Sequence, residues 1–267
     1  MLCFPNAKIN LGLNVTAKRP DGYHELETVF YPVRIHDAVE CTDAAETSCQ
    51  VTGGLVPDDG QDNLCLRAFK LISADYDIPP QQMGLLKRIP VGAGLGGGSA
   101  DAAFTIRLLN DKFGLDMSSA AMQQYARQLG ADCAFFIDNK PVLASGRGDM
   151  FSPLQVDLSD WFLVVVKPPV HVATAAAYAR IKPRKPLTSL TESLHLPPTT
   201  WKSRVLNDFE QSVFELYPEI SQIKASLYHA GAVFALMSGS GSAVYAIFDK
   251  PVKLHELEQN NLVYYNI

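Results

Sequence analysis

Pro90-Val91-Gly92-Ala93-Gly94-Leu95-Gly96-Gly97-Gly98-Ser99-Ala100-Asp101-Ala102-Ala103 is the stretch on which the reading of this chain turns. Five glycines fall within seven positions, directly before an alanine-rich run. The run predicts a helix over residues 99–113, stopped by Gly114. Glycine permits positive φ and close approach to a ligand, and a helix start presents unpaired N–H groups with a partial positive charge. Together these form a cradle for phosphate. A glycine cluster also serves as a plain flexible turn, but a linker has no reason to run into a capped helix.

The details exclude the commonest nucleotide loops. A P-loop ends in Gly-Lys-Ser/Thr, whereas Gly98 is followed by Ser99 and Ala100. A dinucleotide fingerprint places an acid at the end of a second strand, whereas Asp116 lies just beyond a helix and Gly114. The His-Arg-Asp and Asp-Phe-Gly signatures of protein kinases are missing.

Working outward, 267 residues with 47% apolar and 19% charged side chains predict a globular chain of one or two domains. A formal net charge of −5 offers no basic field for nucleic acid or an anionic membrane. Cys3, Cys41, Cys49, Cys65 and Cys133 are scattered and odd in number, which predicts free thiols in a reducing cytoplasm. No secretory pattern opens the chain, and no run approaches the roughly 18 apolar residues that span a bilayer.

Residues 7–16 alternate as a strand, 18–22 form a turn, and 28–42 read as further strand. A helix is predicted over 63–74, an extended segment over 83–89, and a second helix after the loop over 118–129. Residues 142–145 and 161–167 read as buried strands. Residues 146–159, with two glycines and a proline, read as a boundary near 155. The second half predicts helices near 174–181, 205–216 and 219–229, and strands over 233–237 and 243–248. Residues 184–201, rich in Pro, Ser and Thr, read as a mobile lid or surface loop. Strands and helices without regular βαβ alternation indicate an α+β fold.

Several residues carry candidate chemistry. Lys8 in an apolar strand marks either its solvent face or a placed cation. Asp132, after Gly130-Ala131, is either a turn residue or a carboxylate for chemistry. A lysine–aspartate pair beside a phosphate cradle is what phosphorylation of a hydroxyl needs. Tyr23-His24 is either an exposed hairpin tip or an aromatic shelf with a hydrogen-bonding partner for a base. Ser238-Gly239-Ser240-Gly241-Ser242 is either a tight turn or a second anion nest.

Taken in order, Pro5-Asn6-Ala7-Lys8-Ile9-Asn10-Leu11, the stretch 90–103 and residues 237–244 resemble the three motifs of the GHMP kinases. Residues 18–26, Gly130-Ala131-Asp132 with Phe135-Phe136, and Asn207-Asp208-Phe209-Glu210 resemble one branch of that family. The resemblance covers essentially the whole chain. It implies an N-terminal ribosomal-protein-S5-like ATP-binding domain over 1–155 and a C-terminal ferredoxin-like α/β sandwich over 156–267. It also implies an active site in the interdomain cleft. The activity implied is phosphorylation, by ATP with Mg2+, of the 2-hydroxyl of 4-(cytidine 5′-diphospho)-2-C-methyl-D-erythritol, in the non-mevalonate route to isoprenoids. The partners implied are small molecules, with no nucleic acid or membrane, in a monomer or homodimer.

Carried over by position, Asp132 is the proton acceptor and Lys8 its electrostatic partner. Pro90, Gly92 and Gly94-Leu95-Gly96-Gly97-Gly98-Ser99 bind ATP, with Asn63 and Lys87 on the adenine side. Asn10 contacts the methylerythritol end, Tyr23 and Tyr178 stack on cytosine, His24 bonds its polar edge, and Thr174 belongs to the substrate-binding set. Gly239 and Gly241 close over the substrate phosphates, and no metal ligand is assigned. The chain departs from the family pattern at Ala100, where a serine is usual, at Cys133-Ala134, where Val-Pro is usual, and at Asn6, where a small residue is usual.

Overall fold

The computed structural model describes residues 1–53 and 63–267. In chain order the elements begin with β1 (Leu2–Cys3), β2 (Asn6–Lys18), β3 (His24–His36), β4 (Ala38–Asp43) and β5 (Ser48–Gly53). There follow α1 (Leu64–Asp75), β6 (Gln81–Lys87), α2 (Gly97–Phe113), α3 (Ser119–Leu129) and α4 (Phe135–Asp138). Next come β7 (Val142–Ser145), β8 (Met150–Pro153), β9 (Phe162–Lys167), α5 (Thr174–Tyr178), α6 (Leu190–Leu194) and a 3-10 turn (Pro198–Ser203). The chain closes with α7 (Phe209–Leu216), α8 (Pro218–His229), β10 (Phe234–Met237), β11 (Val244–Phe248), α9 (His255–Glu258) and β12 (Leu262–Tyr265).

Packing divides the chain into two compact units. The first comprises Met1–Lys8, Arg34–Val91 and Gly96–Lys140; the second comprises Ile9–Val33, Gly92–Leu95 and Pro141–Ile267. No single cut near residue 155 separates them. The reason is pairing: β3 bonds antiparallel to β7, and β7 to β8, so the hairpin of residues 9–33 packs with the later part of the chain.

The first unit holds the sheet β1-β4-β6-β5, antiparallel except for the β5–β6 pair. Helices α1, α2 and α3 pack on one another beside it. Local chemistry sets their ends. The Asn63 side chain caps α1 by accepting from the Cys65 N–H at 2.8 Å. Ser118 caps α3 in the same way, and Gly114 ends α2 in the left-handed conformation. Ala100, Ala102 and Ala103 are fully buried, so small side chains let the first turns of α2 sit close to their neighbours.

The second unit holds two sheets, β2-β3-β7-β8 and β10-β11-β9-β12. In the latter, every pair is antiparallel, with Tyr245 opposite Val165 and Val263 opposite Val166. Of its central strands β11 is buried along its full length and β9 over residues 163–166, and α8 packs on β10 and β11. The continuous apolar runs of β9 and β11 follow from that double-sided burial.

Three expectations are corrected. The strand expected over 28–42 breaks at Asp37, whose buried carboxylate accepts from the backbone N–H of Arg88 and Ile89 instead of continuing the run. Residues 146–159, read as a boundary, contain β8, paired to β7 through residues 142–145. Within residues 184–201 the part from Ser189 onward is packed rather than loose, whereas Leu187 is fully exposed. Ser189 and Glu192 form a capping box for α6, and Leu190, Leu194 and Trp201 are buried. The Trp201 indole N–H donates to the Leu196 carbonyl at 2.7 Å, and its ring meets Phe234 edge-on at 5.5 Å. Trp201→Ala is therefore expected to cost about 3–5 kcal/mol in urea unfolding, as for other large core truncations. A loss within experimental error would return this segment to the surface.

Candidate active site

Lys8 is 3% exposed, within a β2 whose residues 6–15 are all buried. The solvent-face reading of Lys8 is thereby excluded. Its Nζ lies 3.4 Å from Asp132 Oδ2, while the Asp132 side chain remains one-third exposed. A buried cation is thus matched to a carboxylate that still meets solvent. Burial pulls the Lys8 ammonium below its usual value, and the Asp132 carboxylate works against that shift. Asp132 sits in the turn between α3 and α4, where Cys133 N–H bonds the Gly130 carbonyl and Phe135 N–H bonds the Asp132 carbonyl. The Cys133-Ala134 departure leaves the turn intact.

The glycine loop is shaped by contacts that a side chain would block. Gly96 has φ of 71°, and a Cβ there would lie 3.0 Å from the Phe136 ring and 3.1 Å from Lys8 Cγ. The loop backbone therefore runs over the lysine stem, with the Lys8–Asp132 pair beside it. Beyond Gly97 and Gly98, Ser99 is half-buried, and its hydroxyl works against the burial that pushes the Cys133 thiol up. Pro90 is half-buried at the loop's opening.

Gly92–Leu95 pack with the second unit. Gly94, with φ of 77°, passes so close to the loop after β10 that a Cβ would fall 2.0 Å from the Ser238 carbonyl oxygen. Ser238 donates its hydroxyl to the Gly94 carbonyl at 2.8 Å, and Ala243 N–H donates to Ala93 at 3.1 Å. Gly92 lies against the His171 ring. The hydroxyls of Ser238 and Ser242 point to protein carbonyls, at Gly94 and Val170, so they are not the donors of a second anion nest. Gly239 and Gly241 are both at positive φ, and the Gly241 N–H donates to the Ser238 carbonyl at 2.9 Å.

Asn10 is 2% exposed; its amide donates to Thr28 Oγ1 at 2.8 Å, and its backbone N–H donates to Ser238 Oγ at 3.2 Å. Gly239 packs on the Asn10 side chain. Asn207 braces the same loop, donating to the carbonyls of Met237 and Gly239 at 2.8 Å each. Tyr23 is 57% exposed with the Arg147 guanidinium over its ring. The structure stacks His24 rather than Tyr23 on Tyr178, with ring centroids 4.9 Å apart and planes 25° apart. Thr174 is exposed at the start of α5.

Two residues expected on the adenine side have protein partners. The Asn63 side-chain oxygen accepts from the Cys65 N–H and caps α1. Lys87 is 4% exposed, with its ammonium held between the carboxylates of Asp37 and Asp101, themselves 1% and 2% exposed. The Lys87 ammonium is thus satisfied within the protein. Burial, with Asp37 nearby, pushes the Asp101 carboxyl up to about 7 despite the Lys87 ammonium. Asp37, Asp101 and Thr28 escaped sequence reasoning as working residues. For Asp37 the available signal was an acid interrupting an extended apolar run.

Among the described residues no cluster of three or more His, Cys, Asp or Glu could hold a metal ion, and no helix is long and apolar enough to cross a membrane. Residues 63–140 match the model of the GHMP kinases N terminal domain, and residues 199–261 match that of the GHMP kinases C terminal. The chain is 51% identical to a Parabacteroides distasonis 4-diphosphocytidyl-2-C-methyl-D-erythritol kinase, over 96% of this chain and 94% of that one.

The chain belongs to the GHMP kinases.

A Bacteroides fragilis relative with the same name is 49% identical, over 97% of this GHMP kinase and 96% of its own length. A solved 4-(cytidine 5′-diphospho)-2C-methyl-D-erythritol kinase is 30% identical and superposes with a TM-score of 0.83, covering 99% of this chain and 98% of that one. The resemblance drawn from residues 5–11, 90–103 and 237–244, and the mixed α and β fold it implied, are borne out.

Proposed function

We infer that this GHMP kinase transfers the γ-phosphoryl group of ATP to the 2-hydroxyl of 4-(cytidine 5′-diphospho)-2-C-methyl-D-erythritol. The products are the 2-phosphate and ADP, within non-mevalonate isoprenoid precursor biosynthesis. Identity near 50% over almost the whole chain with kinases of that name supports the substrate. The observation that carries the chemistry is the Lys8–Asp132 pair at 3.4 Å, with the loop backbone at Gly96 packed over the lysine stem.

Asp132 takes or orients the proton of the attacking hydroxyl, for which its partial exposure leaves access. Lys8, buried against Asp132, stabilises the developing alkoxide and the negative charge on the transferring group. Backbone N–H groups from Gly94 to Ser99, at the head of α2, receive the ATP phosphates. Mg2+ fits a site with few protein ligands: Ser99 and Asp132 would be its candidate protein ligands, and the ion, arriving with ATP, would offset phosphate charge. Tyr23, His24 and Tyr178 provide the aromatic surface for cytosine, and Asn10, Thr174, Gly239 and Gly241 line the remainder of the substrate. The five cysteines are free thiols, which supports a cytoplasmic setting.

The test is 31P NMR of the purified protein with Mg-ATP and the cytidine diphosphate alcohol, with mevalonate and homoserine in parallel tubes. A new phosphomonoester signal in the cytidine tube alone, with ADP rising in step, is expected. A signal with another alcohol would reassign the substrate. Silence in every tube despite ATP binding would make the protein a non-catalytic nucleotide binder.

A further inference from the structure

We propose that Asp37, Lys87 and Asp101 are positioning residues that clasp the two ends of the phosphate loop, and so set affinity for ATP without touching it. The proposal takes from the kinase reading only the identity of the nucleotide. The loop leaves β6 after Lys87 and enters α2 at Gly97. At its departure, Asp37 Oδ1 accepts from the backbone N–H of Arg88 at 2.5 Å and of Ile89 at 2.8 Å. At its return, one turn into α2, Asp101 Oδ2 accepts from Lys87 Nζ at 2.7 Å. Lys87 also pairs with Asp37, so one ammonium spans the neck of the loop.

The neck is tight. A Cβ on Gly97 would lie 2.8 Å from Ile89 Cγ2 and 3.2 Å from Lys87 Nζ. Residues on both sides of the loop therefore touch across its base. Three charged groups, each no more than 4% exposed, are an expensive way to fill that space. A well-packed apolar trio of similar volume would serve stability as well or better. The Asp101 Oδ1 atom is even left buried with no hydrogen-bond partner among the described residues. What the charges add over apolar packing is directional bonding, two bonds to backbone N–H groups and two to one ammonium, which fixes where the loop begins relative to where it ends. Main-chain donors to phosphate are useful only if held to a fraction of an ångström.

The test reads Mg-ATP affinity by calorimetry and amide hydrogen exchange over residues 92–99, on the full chain. Lys87→Met is expected to weaken Mg-ATP by about tenfold or more and to speed exchange across the loop, with the β9 amides of residues 163–166 unchanged. Lys87→Arg, which restores a spanning cation, is expected to recover most of the affinity. Asp101→Asn separates the clasp from direct contact. It removes a negative charge near the phosphates and loosens the hold on Lys87, so a nucleotide-binding lysine would bind ATP as well or better. The clasp predicts weaker binding and faster loop exchange. Tighter or unchanged binding in Asp101→Asn would overturn the proposal, as would loss confined to global stability. If Lys87→Met does not fold, Asp101→Asn decides alone. Because affinity is read without turnover, failure of the substrate assignment changes none of these outcomes.

Discussion

Asp132→Asn is expected to lower turnover by at least about 10²-fold while leaving Mg-ATP affinity nearly intact. The replacement keeps the size of the side chain and removes its capacity to take a proton. It also withdraws the carboxylate that lies 3.4 Å from a buried ammonium. Because Asp132 is one-third exposed, solvent tempers the structural cost, and the loss should fall on kcat rather than on folding. Steady-state kinetics with calorimetric ATP titration check this. Near-wild-type kcat would remove Asp132 from the chemistry, and an equal loss of ATP affinity would make it a binding residue.

Gly94→Ala is expected to destabilise the protein by about 2–5 kcal/mol and to abolish most activity, combining a disfavoured φ with backbone overlap. Two independent penalties meet at this residue. Its φ of 77° lies where a side chain is strained, and the new methyl would sit 2.0 Å from the Ser238 carbonyl oxygen. Neither the peptide at Ser238 nor the loop at Gly94 can yield without breaking the hydroxyl bond between them. Gly98→Ala is the control for stability. Its Cβ would meet only Leu64 at 3.5 Å, in the ordinary range of contact, and no change beyond about 0.5 kcal/mol is expected. Paired urea denaturation of the two variants checks the contrast. Equal stabilities would show that the loop at Gly94 has room to move.

The elements that were legible in the chain are those governed by neighbours in sequence. Asn63 and Ser118 as caps, Gly114 as a stop, and the helix that follows the glycines all appear where spacing places them. Residues 184–201 misled because Pro, Ser and Thr there read as loop. The same residues cap α6 and start the 3-10 turn, and Leu190, Leu194 and Trp201 between them go to the core. Residues 146–159 misled likewise, since β8 is only four residues long and pairs with an equally short β7.

By itself the sequence determined the phosphate loop, the order of the elements and the residue types for phosphoryl transfer, because glycine torsions, helix caps and alternation act over a few residues. Only the tertiary structure decided that Lys8 is buried against Asp132, that Lys87 is enclosed by Asp37 and Asp101, and that His24 rather than Tyr23 stacks on Tyr178. These facts depend on which distant segments pack together and on how much water that packing removes. A lysine on an alternating strand looks the same in sequence whether it faces solvent or a carboxylate more than a hundred residues away. Burial and charge pairing, which separate the two cases, exist only once the chain has closed around it.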